Sequence, residues 1–512
     1  MALMNCFRFL VATVFATPLF TLPVQPVVAR QPETTPPNVI LIVIDDLGWA
    51  DLGLNGSTFY ETPNIDSLAA DGAFLSSAYA ASPICSPTRA SIFSGKYPSR
   101  IGMSYLAGVR GPFGPQHRMI PPEVTGHLPD EDVTLAEAFK EAGYSTAHIG
   151  KWHLHPHGDR GNAHYPDKHG FDLNIAGSQA GQPGSYFYPY ENERHPAFNV
   201  RGLEDGSEGD YLTDVVTDRA IGFIEEHDKE PFFLSMCYFT VHTPIQPRED
   251  KLQKYREKAE AAGFQQNERH AVQEFRSMTH SRQDNPAYAS MVESMDENVG
   301  RLLQALDQSR IGDNTIVVFF SDNGGLSTGR GPNAPTSNLP LRAGKAWIYE
   351  GGIRVPMIVR FPGSVQPGLR NDTPIISNDI YPTLLELAGL PLRPQQHVDG
   401  VSLKSLLSGE RESLDREAIF FHMPHYHHIN SMGPSAAVRC GDYKLVEIME
   451  TGEIELYNLA NDIGEQNNLA ADEPELAERL TTMLHQWQQN SGAQPAIENP
   501  DYRQENDWRN EH

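Results

Sequence analysis

The 512-residue chain carries only 4 cysteines, too few for a disulfide scaffold to hold a fold of this size. Packing must hold it instead. Basic residues are scarce beside acidic ones, 40 against 66, and the formal charge of −26 excludes a general polyanion-binding surface of the kind that nucleic acid requires. Any anionic ligand must be captured locally. The apolar stretch near the start is interrupted by Pro18 and Pro23 and falls short of the ~20 residues of a membrane span. With one basic residue before it and Ala29 before polar sequence, residues 1–29 read as a cleaved signal peptide. Export to the periplasm or the medium is therefore expected, with no stable membrane anchor. Cys6 precedes the apolar stretch, so it is badly placed to become a lipid-modified terminus. Removal of the leader leaves Cys85, Cys237 and Cys440, an odd number, so that one of them is a free thiol or chemically special.

What is present is a composition able to bury a large core, 39% hydrophobic and 21% charged. "NVILIVIDDLGW" reads as a strand buried on both faces with paired acids at its carboxyl end. A capped helix, "TPNIDSLAADG", and an extended "AFLSSAYA" follow. The alternation then recurs: "TLAEAFKEAGY" with "STAHIGKWH", "YLTDVVTDRAIGFIEEHD" with "PFFLSMCYFTVHTP", and "MVESMDENVGRLLQALDQSR" with "NTIVVFFSDNGG". This predicts an α/β fold, a mostly parallel sheet sandwiched by helices. Each strand ends in polar residues, namely Asp45 and Asp46, Lys151 and His153, His242, and Asp322 and Asn323. Parallel strands would gather them at one edge.

Residues 251–284 are rich in Lys, Glu, Gln and Arg and read as an exposed helical insertion. Three domain-level segments are expected: a leader over 1–29, a catalytic body over 30–402, and an α+β subdomain over 403–512. The last contains antiparallel strands in "AIFFHMPHYHH", "SAAVRCGDYKLVEI" and "ELYNLAND", the helix "PELAERLTTMLHQWQQ" and a polar, frayed tail after Asn490.

The run "CSPTR", Cys85 to Arg89, matches the C-x-P-x-R signature of type I sulfatases. The paired acids, "GKWH", "VHTP", "SDNGG" and "GKAWIYEGGIRVP" follow in that family's order. The resemblance spans Val39 to Phe361, and "RCGDYKL" with "ELYNLANDIGEQNNLA" extends it. The sequence thus resembles the formylglycine-dependent sulfatases of the alkaline phosphatase superfamily. Its loops are similar to those of bacterial carbohydrate sulfatases labelled N-acetylgalactosamine sulfatases or arylsulfatases.

The resemblance implies that Cys85 is oxidised to formylglycine by a maturation enzyme, and that its hydrate attacks sulfur. Asp45, Asp46, Asp322 and Asn323, with the modified Cys85, would hold Ca²⁺, with Mg²⁺ as the alternative; an all-oxygen set suits such a hard cation. Arg89 would hold the diol and Lys151 the sulfate. His242 and Lys345 would serve the leaving-group side, and His153 would take a proton during elimination. His155, Arg342 and His425 are candidates for sugar binding, with His157, His427 and His428 nearby; clustered histidines also raise zinc. Cys237 reads as an inert core thiol.

The expected substrate is a sulfated oligo- or polysaccharide, favoured as galactose or N-acetylgalactosamine sulfate at a chain end. Two rivals stand beside this: a phosphonate monoester or phosphodiester hydrolase of the same superfamily, and a non-catalytic protein that binds sulfated glycans.

Overall fold

A computed structural model describes residues 35–156, 163–264, 270–428 and 432–508. The expected leader and His157 lie outside them. Strand β1 (Asn38–Ile44) is buried at every position, as an aliphatic run without polar alternation demands. Its side chains divide between two cores by their period of two. Ile40, Ile42 and Ile44 join Val216, Met291 and Met295 on one side, while Val39, Leu41 and Val43 join Ala90, Phe93, Phe139 and Leu384 on the other.

Eight more strands complete this sheet: β2 (Ala73–Tyr79), β3 (Ser145–Gly150), β4 (Leu173–Ile175), β5 (Phe232–Cys237), β6 (Thr315–Ser321), β7 (Arg354–Arg360), β8 (Leu369–Asn371) and β9 (Ile375–Ile376). Their order is β8-β2-β7-β6-β1-β5-β3-β4, with β9 also on β2. Only β7 is antiparallel to its neighbours; every other pairing is parallel. The helices are α1 (Pro63–Asp71), α2 (Cys85–Ser94), α3 (Leu135–Glu141), α4 (Leu212–Glu226), α5 (Glu249–Ala261), α6 (Pro286–Gln308) and α7 (Ile380–Leu387). Apolar faces of α1, α4 and α6 fill the first core; α2, α3 and α7 fill the second. This is the expected sandwich.

A second sheet follows, β10 (Ala418–Met423), β11 (Ser435–Cys440), β12 (Tyr443–Ile448) and β13 (Glu453–Asn458), antiparallel in chain order. Helix α8 (Pro474–Ser491) covers one face, setting Leu480 and Leu484 on Val438, Leu445 and Leu456. The other face packs Phe421, Ala437 and Val446 against Tyr79, Trp347 and Tyr349. Within that seam Glu350 meets Lys444 at 3.0 Å, Arg354 at 3.2 Å and the Tyr79 hydroxyl at 2.8 Å.

Two expectations need correction. Beyond α5, the stretch read as helical forms a hairpin, Ala271–Glu274 with Ser277–His280, whose second strand pairs with Thr328–Gly329. Its alternating residues are largely polar, so no hydrophobic period announces it. The tail after Asn490, as far as Trp508, is not frayed. Ile497–Glu498 pairs with Met119–Ile120, and the Trp508 indole donates to Glu450 over 3.2 Å and stacks on His117. Isolated aromatic anchors hold a segment whose average composition is polar. Cys237 is buried, Cys440 is partly buried, and both are free thiols, as is Cys85. Among the described residues no helix is long and apolar enough to cross a membrane.

Candidate active site

Four central strands deliver the polar residues to one edge. Because β1 lies between β5 and β6 with β3 beyond β5, parallel pairing sets their carboxyl ends side by side. The ladder continues into the loops: Asp322 N–H donates to Ile44, Val241 N–H to Asp45 and Lys151 N–H to Cys237, over 2.8–3.1 Å. Side chains 277 residues apart in sequence thereby meet, as when Asn323 Nδ2 donates to Asp46 Oδ1 over 2.8 Å.

Cys85 is the first residue of α2, a helix buried along its whole length and closed by Gly95 at φ +68°. Its Sγ lies 3.5 Å from Asp45 Oδ1 and 4.0 Å from Asp46 Oδ1. Burial pushes the thiol up to about 12, with Lys151 and Lys345 opposing. As a thiol it is therefore a poor nucleophile at neutral pH. Arg89, one turn on, points back to the same place. Its Nε donates to Asp322 Oδ2 over 2.8 Å and its Nη1 to the Lys151 carbonyl over 2.7 Å.

Lys151 Nζ meets Asp45 Oδ2 at 2.6 Å, and Lys345 Nζ meets Asp46 at 2.7 Å. His242 Nδ1 donates to the Thr243 carbonyl over 2.9 Å, which leaves Nε2 bare toward Lys345 Nζ at 2.9 Å. Burial, with Lys345 and Lys151 adding and Asp46 opposing, holds His242 down at about 3. The imidazole is neutral, and the proton on this side belongs to Lys345, which Asp46 holds above the ordinary lysine range against burial. Burial raises Asp45 to about 7, with Lys151 opposing and Asp322 and Asp46 adding. For Asp46, burial is outweighed by His242, Lys345 and Lys151, and its carboxyl stays well below the usual range.

This crowding of carboxylates fits a divalent cation. Asp45, Asp46, Cys85 and His242 each offer a ligand atom within 4.8 Å of the others. Asp322 adjoins them, accepting from Asp46 N–H over 3.3 Å, and the buried Asn323 Oδ1 has no hydrogen-bond partner. An oxygen-rich set with one spare amide oxygen suits a hard ion.

The backbone is bent to make the site. Asp46, His153 and Ala346 have φ of +63°, +58° and +69°, conformations that cost side-chain-bearing residues free energy and collect at functional sites. His153 N–H donates to the Ser178 carbonyl, and its ring lies over Gly181, where a Cβ would come within 2.5 Å of Cε1. The Lys345 loop is braced by Asn338, whose Nδ2 donates to the carbonyls of Gly325, Ala343 and Gly351. Tyr186 braces the His242 loop, donating to the carbonyls of Phe239 and His242 over 2.6 and 2.9 Å. Gly181, Asn338 and Tyr186 were not legible in the sequence, because each acts through a neighbour's backbone or ring.

Cys85, Arg89, Lys151, His242, Lys345, Asp45, Asp46, Asp322 and Asn323 therefore form one cluster. The sugar-binding candidates scatter. Arg342 is taken up by Glu274 over 2.8 Å, by the Tyr457 hydroxyl and the Glu465 carbonyl, and by stacking on Tyr349. None of these partners belongs to the Cys85 cluster. His425 bonds the Ser104 hydroxyl over 2.9 Å, and His155 meets its neighbour's Pro156 carbonyl at 3.1 Å. His427 comes nearer the chemistry: Lys345 and Asp46 both act on its charge, and it contacts Tyr105.

The family model described as Sulfatase matches residues 37–390, more than half of the chain. The chain belongs to the sulfatase family. A second model, N-sulphoglucosamine sulphohydrolase, C-terminal, matches residues 343–491. A sulfatase of Formosa agariphila is 32% identical over 539 aligned positions, 92% of each chain. The N-acetylgalactosamine-6-sulfatase of Homo sapiens is 32% identical over 404, spanning 75% of this chain and 68% of that enzyme. The solved structure of Ps i-CgsB in complex with k-i-k-neocarrahexaose superposes with a TM-score of 0.69 at 30% identity, covering 88% of this chain and 93% of that one. Sulfatase activity on sulfated carbohydrates is the function these relationships support.

Proposed function

We propose that this sulfatase releases inorganic sulfate from a galactose or N-acetylgalactosamine sulfate at a glycan chain end, with formylglycine made from Cys85 and Ca²⁺ as its cofactors. The observation that carries this reading is the placement of Cys85, a buried and protonated thiol at a helix N-terminus, between two acids and within reach of Lys151 and Lys345. Left as a thiol, it has no partner that would ionise it. Oxidised and hydrated, the same position would supply a diol whose one hydroxyl attacks sulfur and whose other later expels sulfate. Asp45, Asp46, Asp322 and Asn323 would hold the cation, which would draw the sulfate oxygens in and offset the crowded carboxylates.

The geometry supports the remaining roles as follows. Lys151 and Lys345 supply positive charge for sulfate in a chain whose net charge is −26. Lys345 holds a proton while His242, neutral with a bare Nε2, accepts from it; Lys345 is thus the group suited to protonate the leaving alcohol. Arg89 fixes Asp322 and the Lys151 carbonyl, so its removal would disturb both. The preference for N-acetylgalactosamine draws on the names of the mammalian relatives. His427 and Tyr105 are the side chains beside the centre that would meet the sugar. Export, with residues 1–29 removed, would place the enzyme where polysaccharide is found, and a formylglycine-generating or anaerobic maturation enzyme would be its partner before folding.

The test is sulfate release from sulfated galactose, N-acetylgalactosamine and glucosamine, alongside p-nitrophenyl sulfate and a phosphonate monoester. Highest kcat/KM on one of the first two sugars is expected. Higher efficiency on the phosphonate would overturn the reaction, and glycan binding without any turnover would overturn catalysis.

A further inference from the structure

A second group of metal-binding side chains lies outside the Cys85 centre. His127 and Asp130 precede α3, and His164 follows β3. The His127 and His164 rings lie parallel, 3.6 Å between centroids and 4° between planes. Asp130 Oδ1 faces both, 4.0 Å from His127 Nδ1 and 3.8 Å from His164 Nδ1. One ligand atom from each of the three lies within 4.8 Å of the others. Beneath them the buried His169 stacks on His164 at 5.9 Å, and its Nε2 has no hydrogen-bond partner. Two imidazoles sharing a carboxylate above a third, buried imidazole is a nitrogen-rich set, unlike the oxygens around Cys85.

We propose that His127, Asp130 and His164 bind a zinc ion, with the buried His169 completing or bracing the site. Imidazole with one carboxylate is a ligand set that zinc takes and calcium does not, so the two sites sort two metals by chemistry. His127 Nδ1 lies 2.7 Å from the Leu128 carbonyl; in the metal-free ring it donates there, and binding the ion through Nδ1 would move that proton to Nε2, so that the imidazole stays neutral and no net proton is released. The exposed Asp130, 78% accessible, leaves the ion a way in.

The site would act on the catalytic segment without touching substrate. The Trp152 indole, between Lys151 and His153, donates to the His164 carbonyl over 3.0 Å. A zinc clip joining His127 to His164 would therefore fix the chain that Trp152 leans on.

To test this, full-length protein is stripped with chelator, supplied with excess Ca²⁺ to serve the oxygen-rich centre, and titrated with ZnCl₂ or, for its visible absorption, CoCl₂. One equivalent of zinc, a cobalt spectrum of low coordination number and a zinc-dependent rise in Tm are expected. Affinity should fall ~10-fold or more in His127→Ala and in His164→Ala and be unchanged in Asp46→Asn. Should His164→Ala fail to fold, His127→Gln decides, since this ring is 31% accessible. Zinc that binds both histidine variants as tightly as wild type, that is lost with Asp46→Asn, or that does not bind at all overturns the proposal.

Discussion

Lys345 and Glu350 lie on one short segment and anchor two clusters of buried charge. Around Lys345 stand Asp45, Asp46 and Asp322 with Lys151 and Arg89. Around Glu350 stand Lys444, Arg354, Arg439 and Glu465. Both are ion-pair networks, and both would be expensive to assemble from water. They differ in access and in contents. Lys444 and Glu350 are fully sealed, whereas Lys345 and His242 keep 10% and 11% of their side-chain surface open. Both hold buried polar atoms without a hydrogen-bond partner and a non-glycine residue in the left-handed region, Asn323 Oδ1 and Asp46 in one, Arg439 Nη1 and Glu465 in the other. Only the open cluster also holds a thiol, 3.5 Å from Asp45. Buried charge alone therefore does not mark a catalytic site. Buried charge with a mouth and a thiol set among the carboxylates does.

The largest expected effect separates the two clusters by activity. Cys85→Ala should lower kcat by about 10⁴-fold or more, as loss of a nucleophile does, while Tm stays near wild type. A variant that keeps most of its activity would break the assignment of chemistry to the open cluster. Glu350→Gln should do the reverse. Removing one partner from a sealed pair costs about 3–5 kcal/mol, read by urea unfolding, with kcat of the folded fraction largely retained. Next, Lys345→Ala should cost about 10²- to 10⁴-fold in kcat, and less on a substrate whose leaving group needs no proton, such as p-nitrophenyl sulfate. Equal losses on both substrates would remove Lys345 from the leaving-group side.

The smallest effect concerns Glu465. Burial raises its carboxyl from 4.5 to about 7, with Lys444 opposing and Glu350 adding. A raised folded value means that its contribution is complete below pH 4.5 and is lost as pH rises through 7. Wild type should therefore lose stability relative to Glu465→Gln between those limits, measured by paired urea unfolding at pH 5 and pH 8. A difference that is constant, or that grows in wild type's favour, contradicts the account of the sealed cluster.

Much of the open cluster was legible because parallel strands impose a rule. A strand read as buried on both faces delivers whatever follows it to the carboxyl edge, so Asp45, Lys151, His242 and Asp322 could be gathered from four distant segments. Cys85 and Arg89 were legible through their motif and the helical turn between them. Arg342 shows the limit. Its partner Glu274 sits in a hairpin whose polar alternation carries no hydrophobic signal, so the sequence that suggests Arg342 as a sugar ligand does not announce this pairing. His127 and His164 escaped for a related reason. They are separated by α3 and β3, and the carboxylate they share, Asp130, lies in a loop without periodicity. Contacts between loops depend on the fold as a whole, whereas contacts between strand ends depend on a local pattern repeated along the chain.

The most direct test of the central claim is the mass of the Cys85-bearing peptide from catalytically active protein made in its own host. The account predicts the aldehyde or its hydrate in place of the thiol, in proportion to specific activity across preparations. Full sulfatase activity in protein whose Cys85 is entirely unmodified would contradict it.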